Sequence, residues 1–295
     1  MIRAVKCPFA ASAERPSLDH VLIGVNVPNF GPGTSPAVLR DWARTVEGLG
    51  FDLLMVSDHV VVTPDVAQQY PAPFYDPFTT LAWLAGVTER ITLGTTVLIA
   101  PYRHPLLVAR MAANLAELSG GRFVLGVGVG WARQEFEALG VEFGRRGKLT
   151  DELITTVREA WSDEGYRAGD IPIWVGGDSD AGLRRAVRLG DAWHPLRQTP
   201  DGWQESLTRL RKVAAEEDRP LPELAPRILL RLTDQPLDDR RLGEGTLEQV
   251  VGDLERLRAD GAKAVVLDPF LGDPEETRRP AAAWHALAAV RKEMR

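Results

Sequence analysis

From Val21 onward the chain alternates short apolar runs with segments whose apolar positions recur at helical spacing. The first run is Val21-Leu-Ile-Gly-Val-Asn-Val27, and over residues 36–48 Leu39, Trp42, Ala43 and Val46 fall on one helical face. Further runs follow at Phe51–Val56 and Ile91–Leu98. The segment opening at Pro105 predicts a helix that buries Leu107, Val108, Met111 and Leu115 and stops at Gly120-Gly121, since proline suits a first helical turn and glycine the position past the last. Phe123–Val127 is a fourth run. Residues 148–161, with Leu149, Leu153, Val157 and Trp161 on one side, predict a helix leading to a fifth, Ile171–Val175. Asp191–His194, Arg227–Leu232 and Ala264–Leu267 complete the set. A helix is expected around 180–189, and Thr246-Leu-Glu-Gln249 has the form of a capping box for a helix that ends near Gly261. A last helix is expected over 276–293, and the Pro- and Asp-rich stretches 215–226 and 233–245 read as surface loops.

The runs are near-continuously apolar, as expected of parallel strands covered on both faces. Eight of them, each followed by a helix-length segment, predict a single (β/α)8 TIM barrel, a fold of about 250 residues. A doubly wound open sheet uses the same alternation, but its first strand usually leads into a nucleotide-binding turn. Pro28-Asn-Phe-Gly-Pro-Gly33 is not one. No repeat or low-complexity linker divides the chain, so residues 21–295 read as one barrel domain and residues 1–20 as a loosely ordered leader.

Composition narrows the function. The 295 residues are 44% hydrophobic and 26% charged, an ordinary globular balance. Lys and Arg total 35 against 41 Asp and Glu, a net charge of −6, which gives no general attraction for nucleic acid or an anionic membrane surface. Cys7 is the only cysteine, excluding an intramolecular disulfide and a cysteine metal cage. No apolar run approaches the roughly 18 residues of a membrane span. Lys6 and Pro8 interrupt the leader too early for a secretory signal, so a cytoplasmic protein is expected.

Barrel enzymes carry their chemistry at the carboxyl ends of the strands. Here strand two ends in Ser57-Asp58-His59, and strand three in Thr96-Val97, continuing to Pro101-Tyr102-Arg103-His104. Strand four ends in Gly126-Val-Gly-Val-Gly130-Trp131, strand five in Gly176-Gly177-Asp178-Ser179, strand six in Trp193-His194 and strand eight in Asp268. His59 is able to exchange a proton near neutral pH, with Asp58 fixing its orientation or bonding a ring edge; in isolation the pair reads as a histidine packed at a strand end. The glycines of 126–130 leave room for a flat ligand, or make a tight turn. Gly176-Gly177-Asp178-Ser179 opens a helix, so free amides and the Ser179 hydroxyl form an anion site. Arg184, Arg185 and Arg188 either attract a phosphate there or solvate the helix exterior. A metal site from His59, His104 and His194 lacks the His-x-His pair that hydrolase barrels place after strand one, where this chain has Val25-Asn-Val27, and no metal is expected.

Together these residues resemble the luciferase-like monooxygenase superfamily of flavin- and deazaflavin-dependent barrel oxidoreductases. The matching stretches are Gly24–Gly31, Gly50–His59, Glu89–Leu98, Leu118–Trp131, Glu135–Gly140 and Ile173–Gly177, in order over about 21–270. Ser57-Asp58-His59 and Tyr102-Arg-His-Pro105 most resemble the branch that uses the deazaflavin F420. The resemblance implies a deazaflavin or flavin ring across the barrel mouth, backed by a bulge with a non-proline cis peptide at Thr96-Val97. It places Asp58 and His59 beside the ring, with His59 available for proton transfer. It assigns Gly128, Val129, Gly130, Trp131, Gly176, Gly177, Asp178, Ser179 and Trp193 to the cofactor. F420-dependent hydride transfer to or from a small organic substrate is the first expectation. An FMN monooxygenase fed reduced flavin by a partner is the second, and a non-catalytic flavin-binding barrel the third; a flavin or F420 reductase supplying reduced cofactor is the expected partner of either enzyme. Relatives are commonly homodimers. They usually carry a longer insertion before strand five, here reduced to Ser162–Asp170, which implies a mouth that is more open or completed by another subunit; they also lack the leader 1–20.

Overall fold

Each apolar run becomes a stave of one parallel sheet in the computed structural model, which describes residues 21–294. The staves are β1 (Leu22–Asn26), β2 (Leu53–Val56), β3 (Thr92–Thr95, resumed at Leu98–Ile99) and β4 (Phe123–Gly128). They continue as β5 (Ile173–Gly176), β6 (Ala192–His194), β7 (Glu223–Leu224 and Arg227–Leu229) and β8 (Ala264–Asp268). β1 pairs with both β2 and β8. β7 makes the closure: Glu223–Leu224 pairs with β6 and Arg227–Leu229 with β8. Between the two pieces lies Pro226, which has no amide to donate, yet its carbonyl accepts from Val266 N at 2.9 Å and the neighbouring Ala225 N donates to Trp193 O at 2.9 Å. The sheet is therefore closed, and the expected TIM barrel is what the chain forms.

Among the described residues, seven helices occupy the crossovers between successive staves, and an eighth follows β8: α1 (Pro36–Gly48), α2 (Pro77–Ala85), α3 (Pro105–Leu118), α4 (Arg146–Trp161), α5 (Asp180–Leu189), α6 (Pro200–Glu216), α7 (Leu247–Ala259) and α8 (Pro280–Glu293). Proline opens five of them, fixing where the chain leaves each rim loop and turns back down the barrel. The capping box of α7 forms as its sequence predicts, Thr246 accepting from Gln249 N and Gln249 Oε1 from Thr246 N. None of the helices among the described residues is long and apolar enough to cross a membrane.

Most of the core lies between sheet and helices, and a second apolar cluster fills the lower barrel with Leu53, Met55, Val124, Trp174, Ala192, Ala225, Ala264 and Val266. Strand side chains alternate between faces, so stepping by two up the same staves reaches the upper layer of the interior. There β1 supplies Asn26, β5 Gly176, β6 His194, β7 Arg227 and β8 Asp268. The barrel is apolar below and polar above, and the polar layer floors the mouth.

Five expectations are corrected. Leu107 is 52% exposed, because α3 turns Val108, Ala109, Ala112, Ala113, Leu115 and Ala116 inward instead. The run Ile91–Leu98 divides into two pieces at the Thr96-Val97 bond, which is cis as the resemblance implies. The run Arg227–Leu232 divides, since Arg231–Leu232 leaves the barrel to pair with Glu244–Gly245, and the stretch 215–226 contains the start of β7. A separate 3-10 turn, Pro274–Arg278, precedes α8. The leader 1–20 lies outside the described residues.

Candidate active site

A cleft of about 260 Å³ opens at the carboxyl ends of the strands. Asp58, His59, Thr96, Val97, Gly128, Val129, Gly130, Trp131, Gly176 and Gly177 all line it. The topology thus brings the ends of β2, β3, β4 and β5 to one place. A larger cavity, about 510 Å³, lies between α8 and the loops after β7 and β8, and none of these strand-end residues lines it.

His59 is buried in the wall of the cleft, its ring set among Tyr70, Phe74 and Trp131 with centroids 5.4–5.7 Å away. Its Nδ1 lies 2.6 Å from Glu135 Oε2. Glu135 comes from a short helix after β4, Arg133–Ala138, and is fully buried. The other carboxylate oxygen accepts from Val60 N at 2.6 Å and Val61 N at 3.0 Å, so the loop that carries His59 wraps one carboxylate. Burial alone raises the Glu135 pKa, but the bond to His59 and the two amides outweigh it and hold the group below its ordinary value. A carboxylate only accepts, so Nδ1 carries the proton and Nε2 is left free of hydrogen bonds among the described residues.

Asp58 has a different role from its neighbour. Its carboxylate grips Arg103 with two bonds of 2.6 and 2.9 Å and accepts from Ile99 N at 2.8 Å. Burial opposes the charge on Arg103, and the Asp58 carboxylate, with Asp76 at 2.9 Å, more than restores it. Asp58 pins the β3 bulge against β2 and does not contact His59 through a hydrogen bond.

The floor is a connected network. Arg227 Nη2 donates to Asp268 Oδ2 at 2.7 Å, and Nη1 reaches across the lumen to the Thr96 carbonyl at 2.6 Å. Asp268 Oδ1 accepts from Asn26 Nδ2 at 3.0 Å. His194 bonds through Nδ1 to the Ala225 carbonyl and through Nε2 to the Thr96 hydroxyl at 2.8 Å. Burial, reinforced by the Arg227 cation, pushes the His194 pKa down to about 4, so the ring is neutral at neutral pH. The Ala225 carbonyl only accepts, which puts the proton on Nδ1 and leaves Nε2 to accept from Thr96.

Glycine has a specific use at the edge of this floor. A Cβ at Gly128 would stand 2.5 Å from Val97 Cγ2, and one at Gly176 3.2 Å from Val97 Cγ1. These two glycines accommodate the chain's own bulge and keep the floor flat. Gly177, at φ +105°, has nothing within 4 Å of its missing Cβ and forms the open edge.

Three sequence-predicted residues lie outside the cleft lining. Ser179 caps α5 by accepting from Gly182 N at 3.2 Å, and Asp178 accepts from Gln198 Nε2 at 3.0 Å. Trp193 faces outward by strand alternation, stacks on Trp203 at 5.5 Å and donates from Nε1 to Gly177 O at 2.8 Å, supporting the glycine edge from behind. The arginines after Gly177 are engaged elsewhere: Arg184 with Glu216 and Glu217, Arg188 with Glu217, and Arg185 with Asp151. His104 caps α3 through Nδ1, away from the cleft that His59 and His194 share.

Sequence reading assigned no role to Glu135, Tyr70, Leu196 or Arg227, all of which line the cleft or hold a residue that does. Arg227 was hidden because its run appeared to continue to Leu232, which made it look like a strand start. Glu135 opens the matching stretch Glu135–Gly140 just past the rim glycine loop, a signal for the family that carries no role for the carboxylate itself.

The closed barrel thus gathers a bulge on β3, glycine edges on β4 and β5 and a histidine–carboxylate pair at its mouth. The chain belongs to the luciferase-like monooxygenase family, whose profile matches residues 19–241. A phthiodiolone/phenolphthiodiolone dimycocerosates ketoreductase of Mycobacterium tuberculosis is 29% identical over 267 residues, 78% of this chain and 68% of that protein. The fold is shared with an F420-dependent secondary alcohol dehydrogenase, solved with an F420–acetone adduct, at TM-score 0.72 and 17% identity over 92% of this chain and 99% of that one. It is shared equally with the oxygenating constituent of 3,6-diketocamphane monooxygenase from Pseudomonas putida, solved with FMN, at TM-score 0.70 and 16% identity over 93% and 97%.

Proposed function

We propose that the protein uses F420 to transfer a hydride to or from a small organic substrate, with His59 exchanging the proton that accompanies it. The observation that carries this reading is the His59–Glu135 pair: a buried carboxylate fixes Nδ1 and leaves Nε2 available at the wall of the cleft. A carbonyl that receives a hydride on carbon needs a proton on oxygen, which the imidazolium form of His59 supplies from Nε2; in the reverse direction the neutral ring, its proton held on Nδ1, accepts the alcohol proton at Nε2.

The residues present suit a flat ring. Val97 forms a low ridge seated against Gly128 and Gly176, whose absent side chains make room for it and leave no further bulk to meet a planar ligand. Gly130 and Trp131 bound one side and Gly177 the other, and the start of α5 beyond Gly177 would offer its free amides to an anionic tail. Bound there, F420 supplies or accepts the hydride, because a deazaflavin lacks the ring nitrogen behind flavin's reactivity with oxygen. Everything else falls to the protein: Arg227 and Asp58 hold the bulge, Trp193 holds the glycine edge, and the aromatic groups around His59 exclude water.

Separate titrations with F420 and FMN, followed by fluorescence quenching, test the reading. Micromolar binding of F420 is expected. Binding of FMN alone moves the protein to the monooxygenase reading, which requires a reductase partner, and binding of neither overturns both.

A further inference from the structure

We infer that the substrate taken at this mouth is uncharged and largely apolar, with one polar group directed to His59. The inference rests on the reading above, that a redox cofactor and an organic substrate share the cleft.

Every ionisable group in the lining already has its countercharge or is neutral. Asp58 is closed by Arg103 at 2.6 Å, Arg227 by Asp268 at 2.7 Å and His59 by Glu135 at 2.6 Å. His194 is neutral and has a partner on both nitrogens. A carboxylate, phosphate or ammonium entering here loses its water and meets no spare opposite charge in the wall, which is the costly case.

The rim has the complementary property. Trp131 and Leu196, in the loops after β4 and β6, line the cleft and are 46% and 47% exposed, and Val60, beside His59 in the loop after β2, is 47% exposed. Large apolar side chains left in water around a concave site mark a surface that a ligand covers. Tyr70 and Phe74 extend the same surface inward to the His59 ring. A substrate with an aliphatic or aromatic body therefore gains contact along its whole length, while its polar group reaches the imidazole.

The test uses three ligands of equal chain length: 2-octanone, octanoate and octylamine, titrated calorimetrically into the full chain in the presence of saturating cofactor. The ketone is expected to bind about tenfold or more tightly than either ion. Leu196→Glu, on the exposed rim, is expected to weaken the ketone by about tenfold, with cofactor quenching retained. Equal or tighter binding of either ion overturns the inference. So does failure of all three to bind, or indifference of the ketone to Leu196→Glu. Loss of binding by both F420 and FMN overturns the reading beneath it; intact cofactor binding without the ketone preference overturns this inference alone.

Discussion

Glu135 Oε2 and His59 Nδ1 lie 2.6 Å apart although the residues are 76 positions apart in the chain. The contact joins the loop after β2 to the helix after β4, and it determines which nitrogen of His59 is offered to the cleft. A neutral amide at position 135 is able to bond the same nitrogen in the wrong sense, with its NH2 presented to Nδ1.

Glu135→Gln is expected to lower turnover about tenfold to a hundredfold, in the range by which positioned acid–base groups act, while cofactor quenching changes little. His59→Ala is expected to do at least as much. Single-turnover rates beside quenching titrations check both, and full turnover in His59→Ala removes the proton-transfer role.

His194 sets a pH dependence of stability. Its folded pKa, about 4, lies below the ordinary histidine value of 6.5, so the unfolded chain binds the extra proton more readily. The stability this contributes is complete above about pH 6.5 and is lost as pH falls toward 4, by roughly 3 kcal/mol in all. Denaturant midpoints measured from pH 7 to pH 5 are expected to fall, and to fall less steeply in His194→Gln.

Arg227 and Asp268 are buried partners. Arg227→Met leaves the Asp268 carboxylate without its cation and is expected to cost about 3–5 kcal/mol. Adding Asp268→Asn removes the stranded charge and is expected to recover part of that loss. Equilibrium unfolding of the single and double variants gives the comparison; equal stability of the two would show that the stranded charge is not the cause.

Gly128→Ala places a methyl 2.5 Å from Val97 Cγ2. Overpacking of this kind is expected to cost about 1–3 kcal/mol and to weaken cofactor binding, because the ridge has to shift. Val97→Ala removes the opposing methyl, so the double variant is expected to regain stability. Thermal midpoints of the two variants, read alongside quenching titrations, separate fold from floor.

The barrel was legible because its signal is long: eight apolar runs, with prolines and glycines punctuating the turns, repeat one pattern along the chain. The rim glycines and His59 were legible because they stand directly after those runs. Contacts between distant residues were not. Nothing local to Arg184, Arg185 and Arg188 reveals that Glu216, Glu217 and Asp151 meet them across helix interfaces. The Trp193–His194 pair shows a subtler loss, since which of two neighbours faces inward depends on the phase of a three-residue strand. That phase is set by pairing with β5 and β7, not by the residues themselves.

Arg227 touches β8 through Asp268 and β3 through the Thr96 carbonyl, from the same stave whose two short pieces close the sheet. One side chain is thus both a plank of the cleft's floor and a spoke holding the wheel in round. Divergence, natural or engineered, has little liberty at that hub, where any change of charge is also a change of circumference. It is free at the outer loops that carry Val60, Trp131 and Leu196, where a new occupant is accommodated by altering the doorway and leaving the frame alone.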